Sequence, residues 1–260
     1  MTWKALSKNE HKEMVLKRPV NFEFLRPQIL ASICNYELAT CAAWLPIVFV
    51  KEHGRIRPFA LMGLEAGKNL LVNAKGQWSI SFFPSVFAAH PFKIGKERKE
   101  DDPSVIVFFD DNTFIRSGGD GERLFNEDGS ESPIFKHYLE LLTKMEVSNQ
   151  QLEVSCSILE QLSILEPFGI EIASDGEAKP KLEGLLRINP EKFKALDDKQ
   201  FIEMREKNTL DLIYAHFFSM GGIERLGHIR KFNGKTEHSL GELGTKIFED
   251  DNQDLKFDFN

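Results

Sequence analysis

Nothing in this 260-residue sequence pairs cysteines for a metal, spans a bilayer or forms a standard nucleophile motif. The three cysteines are Cys34, Cys41 and Cys156; no CxxC pair exists, which removes the usual zinc ribbon. An odd count scattered through apolar runs reads as small buried hydrophobes in a reducing compartment. The longest apolar run, Cys41 to Val50, is interrupted by Pro46. It falls short of the roughly 20 residues that a membrane helix needs. The opening Met1-Thr2-Trp3-Lys4 has no apolar stretch leading to a small-residue cleavage site, so no cleaved secretory signal is expected, and the expected location is the cytoplasm. GxSxG, SxxK and HExxH are absent. Gly118-Gly119-Asp120-Gly121-Glu122 lacks the order of a phosphate-binding loop and reads as a plain connection. No cofactor motif is found.

What is abundant is phenylalanine, with 22 Phe against 3 Tyr and 3 Trp. Phe has no polar handle, so most of these rings belong in a core; a Phe-lined pocket for an apolar or peptide ligand is the alternative. The net charge of -7 argues against nucleic acid as a partner. Charge is uneven: residues 1–60 hold nine Lys and Arg against five Asp and Glu, a balance of +4, so the remaining residues carry -11. This basic edge is either a solvated surface or a dock for an acidic partner.

The first half reads as strands and turns. A hairpin is expected around His53-Gly54, with further strands over Asn69–Asn73, Trp78–Phe82 and Val105–Phe109 and a turn at Asp110-Asp111-Asn112. One helix is expected from about Ile33 to Ala43. The second half turns helical. Ser132-Pro133 opens one helix through Met145, and a second runs from about Leu152 to Leu165, ended by Pro167 and Gly169. Two strands, Phe168–Ala173 and Leu182–Ile188, precede a helix opened by Asn189-Pro190-Glu191. Helices over Thr209–Met220 and Ile223–Phe232 follow. The fold class is therefore α+β: a strand-rich N-terminal half packed with a helix-rich C-terminal half. We take residues 1–247 as one domain, with 1–115 mainly strands and 132–232 mainly helices, and 248–260 as an acidic tail.

Several side chains carry chemistry worth weighing. His11-Lys12-Glu13 has the HxE form of an iron facial triad, which also needs a distant histidine such as His90 or His216. Its flanks are charged and suit a solvated segment, so no metal is expected, with His11, Glu13, His90 and His216 the nearest candidates. His216 lies inside an apolar helix, and Ser219 follows on the same face, but a hydrolase would still need an oriented acid and an oxyanion hole. A lone histidine there is usually satisfied by a backbone or carboxylate partner. Glu37 sits in an apolar region, where a carboxylate needs a partner. Asn69 and Trp78 are polar-tipped residues in apolar stretches. Glu37, Asn69, Trp78, Pro84, His90 and His216 form the candidate ligand-binding set, placed between the two halves. No catalytic residue is assigned.

One ordered series of motifs spans most of the chain. It runs Trp44-Leu45-Pro46-Ile47-Val48-Phe49, Leu61-Met62-Gly63-Leu64, Gly67-Lys68-Asn69-Leu70-Leu71-Val72, Gly76-Gln77-Trp78, Phe83-Pro84-Ser85 and His90-Pro91-Phe92. Upstream lie His11 and Phe22-Glu23-Phe24. Downstream come Leu124-Phe125 with Gly129, Glu183-Gly184-Leu185 and Ile213-Tyr214-Ala215-His216-Phe217. This order resembles the SapC family of bacterial proteins. The sequence departs from the family pattern at Phe83, where a Tyr precedes the Pro, and at Ala89 and His90, where Arg-Tyr-type residues precede Pro-Phe. The family takes its name from a surface-array, or S-layer, locus. Its genes often lie near TonB-dependent receptors and flavin-dependent, tryptophan-halogenase-like proteins. The lack of a complete catalytic set, the phenylalanine abundance and the basic N-terminal edge point to an accessory protein that recognises a peptide or protein partner in an uptake or modification system. The resemblance makes a halogenase-like flavoprotein one such partner. A metal-dependent oxygenase-like enzyme and a surface-layer component are the alternatives.

Overall fold

The computed structural model describes residues 3–96, 105–110, 114–116, 120–171 and 181–243. The expected turn at 110–112, the Gly118-Gly119 loop and the acidic tail lie wholly or partly outside these residues. Among the described residues, nine of eleven strands precede residue 124, and the longest helices follow it, as the α+β expectation has it.

The principal sheet has five antiparallel strands. At its centre β4 (Ile47–Glu52) and β5 (Arg55–Leu61) form a hairpin. His53 and Gly54 both have positive φ, 49° and 81°, which is the two-residue turn that matches strand twist. β3 (Leu30–Ser32) pairs with β5, and β11 (Lys181–Ile188) pairs with β4. β10 (Leu165–Glu171) closes the far edge beside β11. Two smaller sheets complete the first half. One joins β1 (Trp3–Ala5), β7 (Val105–Asp110) and β6 (Phe92–Lys96); the other places β2 (Met14–Leu16) between β8 (Phe114–Arg116) and β9 (Glu122–Arg123).

The helices are α1 (Leu38–Trp44), α2 (Ser85–Ala88), α3 (Pro133–Gln161), α4 (Pro190–Lys194), α5 (Asp198–Glu206), α6 (Leu210–Ser219) and α7 (Gly222–Leu243). α3 opens at Ser132, whose Oγ accepts from the Phe135 N–H, with Pro133 in the first position. It is one helix of 29 residues where two were expected. The polar stretch from Glu146 to Gln151 contains no Gly or Pro, so nothing in it breaks the helix. The helix joins two hydrophobic cores. Phe135, Tyr138 and Leu142 pack with Met14, Phe92, Phe109 and Leu124; Leu152, Cys156 and Leu159 pack with Ile47, Phe49 and Leu61.

Other departures have local causes. Pro167 and Gly169 do not end a helix; they lie inside β10, an edge strand, where a missing donor is tolerated, and the register shifts between Phe168 and Ile170. The expected strands over 69–73 and 78–82 are turns, joined by one bridge between Val72 and Trp78. Asparagines explain the first of these: Asn69 Oδ1 accepts from the Leu71 N–H, and Asn73 Oδ1 accepts from the N–H groups of Lys75 and Gln77. Such side chains offer the backbone an alternative to a ladder. α5 was not foreseen, although Asp197 and Gln200 form a capping box at its start. α7 runs eleven residues beyond its expected end at Phe232.

Part of the uneven charge is met within the chain. Lys51 pairs with Glu160, and Arg55 and Arg57 pair with Glu153, so basic residues of the hairpin face acidic residues of α3. These pairs are exposed and individually worth little. No described helix is long and apolar enough to cross a membrane.

Gly63, in the Leu61–Leu64 motif, has a packing reason. A Cβ there would collide with the Lys68 carbonyl oxygen and with Ile29 Cγ2. Gly63→Ala is expected to cost about 2 kcal/mol by overpacking against backbone, read as a lower denaturant midpoint at unchanged slope. An unchanged midpoint would show that the 63–68 turn can yield.

Candidate functional site

The most buried of the candidate residues is His216, on α6, at 1% exposure. The Ile188 N–H donates to its Nε2 at 3.2 Å, which makes Nε2 an acceptor. Nδ1 therefore carries the proton and donates to the Ile47 carbonyl at 2.7 Å. β4 and β11 pair directly at Phe49–Leu186 and Val50–Leu185. Continued in that register, Ile47 would face Ile188, and the imidazole stands between them instead. Ser219 completes the clasp: its Oγ accepts from the Ile47 N–H at 2.8 Å and donates to the His216 carbonyl at 2.7 Å. Burial holds His216 down at about 4, so the ring is neutral near pH 7. Both nitrogens are engaged, which leaves none to ligate a metal or activate Ser219.

Glu37 is also fully satisfied. Its Oε2 accepts from the Cys34 N–H and its Oε1 from the Ser85 N–H, both at 2.7 Å. It thereby ties the turn before α1 to the first residue of α2, which Pro84 precedes in extended conformation. Tyr36 reinforces the tie, its hydroxyl donating to Ser85 Oγ at 2.9 Å. Trp78 stands beside the same helix. Its Nε1–H donates to the Phe82 carbonyl, and its ring meets Phe22, Phe83 and Phe87. Glu37, Trp78 and Pro84 thus converge on α2.

His90 and Asn69 lie apart from that convergence. The His90 ring stacks on Phe24 with centroids 5.0 Å apart, and its Nε2 is 3.5 Å from Asp110 Oδ2. Neither ring nitrogen has a hydrogen-bond partner. Burial lowers its pKa, with the Asp110 carboxylate opposing. Asn69 Nδ2 donates to the Leu25 carbonyl at 3.1 Å, fastening the 61–72 turn to the Phe22–Phe24 segment's end. Among the metal candidates, His11 is held by Ser7 and packs edge-on against Phe109, while Glu13 is exposed near Arg123. His216 belongs to the other core. Among the described residues no group of three or more His, Cys, Asp and Glu is placed to hold a metal ion. All three cysteines are free and buried, and burial pushes Cys34 and Cys156 up to about 12.

Two surface features stand out against this buried framework. The first is an aromatic face on the C-terminal helices. Phe193 of α4 contacts Phe201 of α5 and both Tyr214 and Phe217 of α6, with centroids 5.5 to 6.4 Å apart. Tyr214 and Phe218 stack at 6.2 Å, and Phe218 is 79% exposed. Sequence reasoning missed this face by taking most of the phenylalanines as core. The signal was present: Leu212, His216 and Ser219 define the inner stripe of α6, and Tyr214 and Phe218, four apart, fall outside it. The second feature is a groove of about 660 Å³ between Asn35-Tyr36 and one face of α3. It adjoins Glu37, the acid singled out from sequence.

Only the comparison with family models returns a match: SapC, over residues 6–226. No curated protein and no solved structure matches the chain. All six candidate residues fall inside the matched span.

The clasp makes stability depend on pH. The His216 pKa falls from 6.5 to about 4 on folding, so the unfolded chain binds more protons between those values. The contribution is complete above pH 6.5 and is lost as pH falls towards 4. At about 1.4 kcal/mol per unit it amounts to about 3 kcal/mol. His216→Leu is expected to lower stability at pH 7 by about 3 kcal/mol, through two unsatisfied backbone groups, and to flatten the pH 4–6.5 dependence. Equal pH slopes in the two proteins, followed by urea unfolding, would contradict the clasp.

Proposed function

The chain belongs to the SapC family, and from that premise we propose that it is a non-catalytic cytoplasmic accessory protein that recognises a protein partner. The observation that carries this reading is the aromatic face of α4, α5 and α6. An exposed Tyr214–Phe218 stack over a Phe193–Phe217 base is a large apolar patch of the ring types that dominate binding hot spots. The rings are held on short helices whose inner sides are locked into the core, so little entropy is lost on docking. Three buried free thiols agree with a reducing compartment. The shared helix α3 supports action of residues 1–247 as one unit. The partner proposed is a halogenase-like flavoprotein, of the kind whose genes often lie near those of the family, in an uptake or modification system that includes a TonB-dependent receptor.

The test is calorimetric titration of that purified flavoprotein with the chain and with the Tyr214→Ser/Phe218→Ser variant. Both positions are exposed, so fold stability should hold within about 0.5 kcal/mol. The expected result is binding by the parent chain and at least a roughly thirtyfold weaker affinity for the variant. Equal affinities, or no binding by the parent chain, would refute the proposal.

A further inference from the structure

We propose that residues 248–260 run back along α7 and cover the aromatic face of α6, so that a partner must displace them; this rests on the reading of that face as the partner site. Residues 244–260 follow the described part of the chain. From Phe248 onward they hold five Asp and Glu against one Lys, and Leu255, Phe257 and Phe259 alternate with polar residues. In extended backbone such alternation puts the three apolar side chains on one side. An acidic run followed by an apolar strip is complemented by a basic surface followed by an apolar one.

α7 and α6 offer that order. The exposed residues of α7 up to Phe232 are Glu224, Arg225, His228, Lys231 and Phe232, and Phe232 is 71% exposed. Arg225 and Lys231 form no ion pair among the described residues, whereas the less exposed Arg230 is bonded to Glu65. The 22 residues of α7 are about 33 Å long, which about ten extended residues cover. A chain returning from Leu243 therefore passes about 2.2 helix residues for each of its own. Phe248 then falls beside Phe232, and Glu249-Asp250-Asp251 beside Lys231, His228 and Arg225. Gln253 reaches the start of α7, and Leu255, Phe257 and Phe259 extend beyond it. Phe218 is within their reach, since four Cα–Cα steps put it at most about 15 Å from Gly222. Phe218 and Tyr214 are the exposed rings there. Attachment to the same chain gives the segment an effective concentration of roughly millimolar order, so weak contacts suffice.

The test places a nitroxide on Asn260→Cys of the full chain, the three native thiols being buried. Amide signals of Tyr214, Phe218, Arg225 and His228 are expected to broaden. Phe257→Ser/Phe259→Ser, and separately Glu249→Gln/Asp250→Asn/Asp251→Asn, should restore most of the lost intensity. The phenylalanine variant should also bind the flavoprotein about tenfold more tightly than the parent chain, the factor lost when about 90% of chains are covered. The broadening is measured without flavoprotein, so it tests the cover even where the partner reading fails. Unbroadened signals at these positions, broadening that the variants do not relieve, or equal affinities of two chains that both bind would overturn the proposal. So would broadening of an isotope-labelled chain by a second, spin-labelled copy, which would put the segment of one chain on another.

Discussion

The constraint on which the rest of the molecule depends is the imidazole of His216 set between β4 and β11. A direct ladder bond from Ile188 to Ile47 would draw the two strands together; the ring holds them apart and satisfies both backbone groups. The same ring fixes α6 against the sheet, with Ser219 as a second tie to Ile47. Once that face is turned inward, helical geometry leaves Tyr214 and Phe218 outside. An internal polar contact thus determines which aromatic rings the surface presents. Neutrality of the ring is essential, since a protonated imidazole would put a second N–H opposite the Ile188 donor.

A similar economy governs the first half. Glu37 in an apolar region suggested an ion pair or an acid with a role, yet its two oxygens cap two backbone N–H groups and bring α1 and α2 together. Asn69 and Trp78 also bond to backbone on neighbouring turns, Asn69 to the Leu25 carbonyl and the Leu71 N–H, Trp78 to the Phe82 carbonyl. Phe22 and Phe24 bind this region from one side, Phe22 against Trp78 and Phe83, Phe24 against His90. The motif series that resembles the family is therefore largely a set of joints. The surface left open lies at the rims of these joints, in the groove over Tyr36 and on the outer side of α6.

The sequence announced elements whose signals are local. The His53-Gly54 turn, the Ser132-Pro133 start of α3 and the Asn189-Pro190 start of α4 all needed only neighbouring residues to be legible. It misled where local and tertiary signals compete. The apolar stretch after Asn69 suggested a strand, but the side chains of Asn69 and Asn73 close the backbone into turns there. Pro167 and Gly169 looked like helix stops because an edge-strand position is invisible without its neighbours. The candidate site was half legible: Glu37, Trp78 and Pro84 do meet, but no spacing rule reveals that Asn35, Tyr36 and α3 enclose a groove. The aromatic face was hidden by the premise that phenylalanine is core, which holds for Phe49 and Phe109 and fails for Phe218.

The most direct test of this account is the nitrogen spectrum of the His216 ring in the isotopically labelled chain at neutral pH. The account predicts a single neutral tautomer protonated at Nδ1, with that proton protected from solvent exchange by the Ile47 carbonyl. An Nε2-protonated ring, a mixture of tautomers, or an imidazolium at pH 7 would contradict it, and the orientation of α6 would then need another cause.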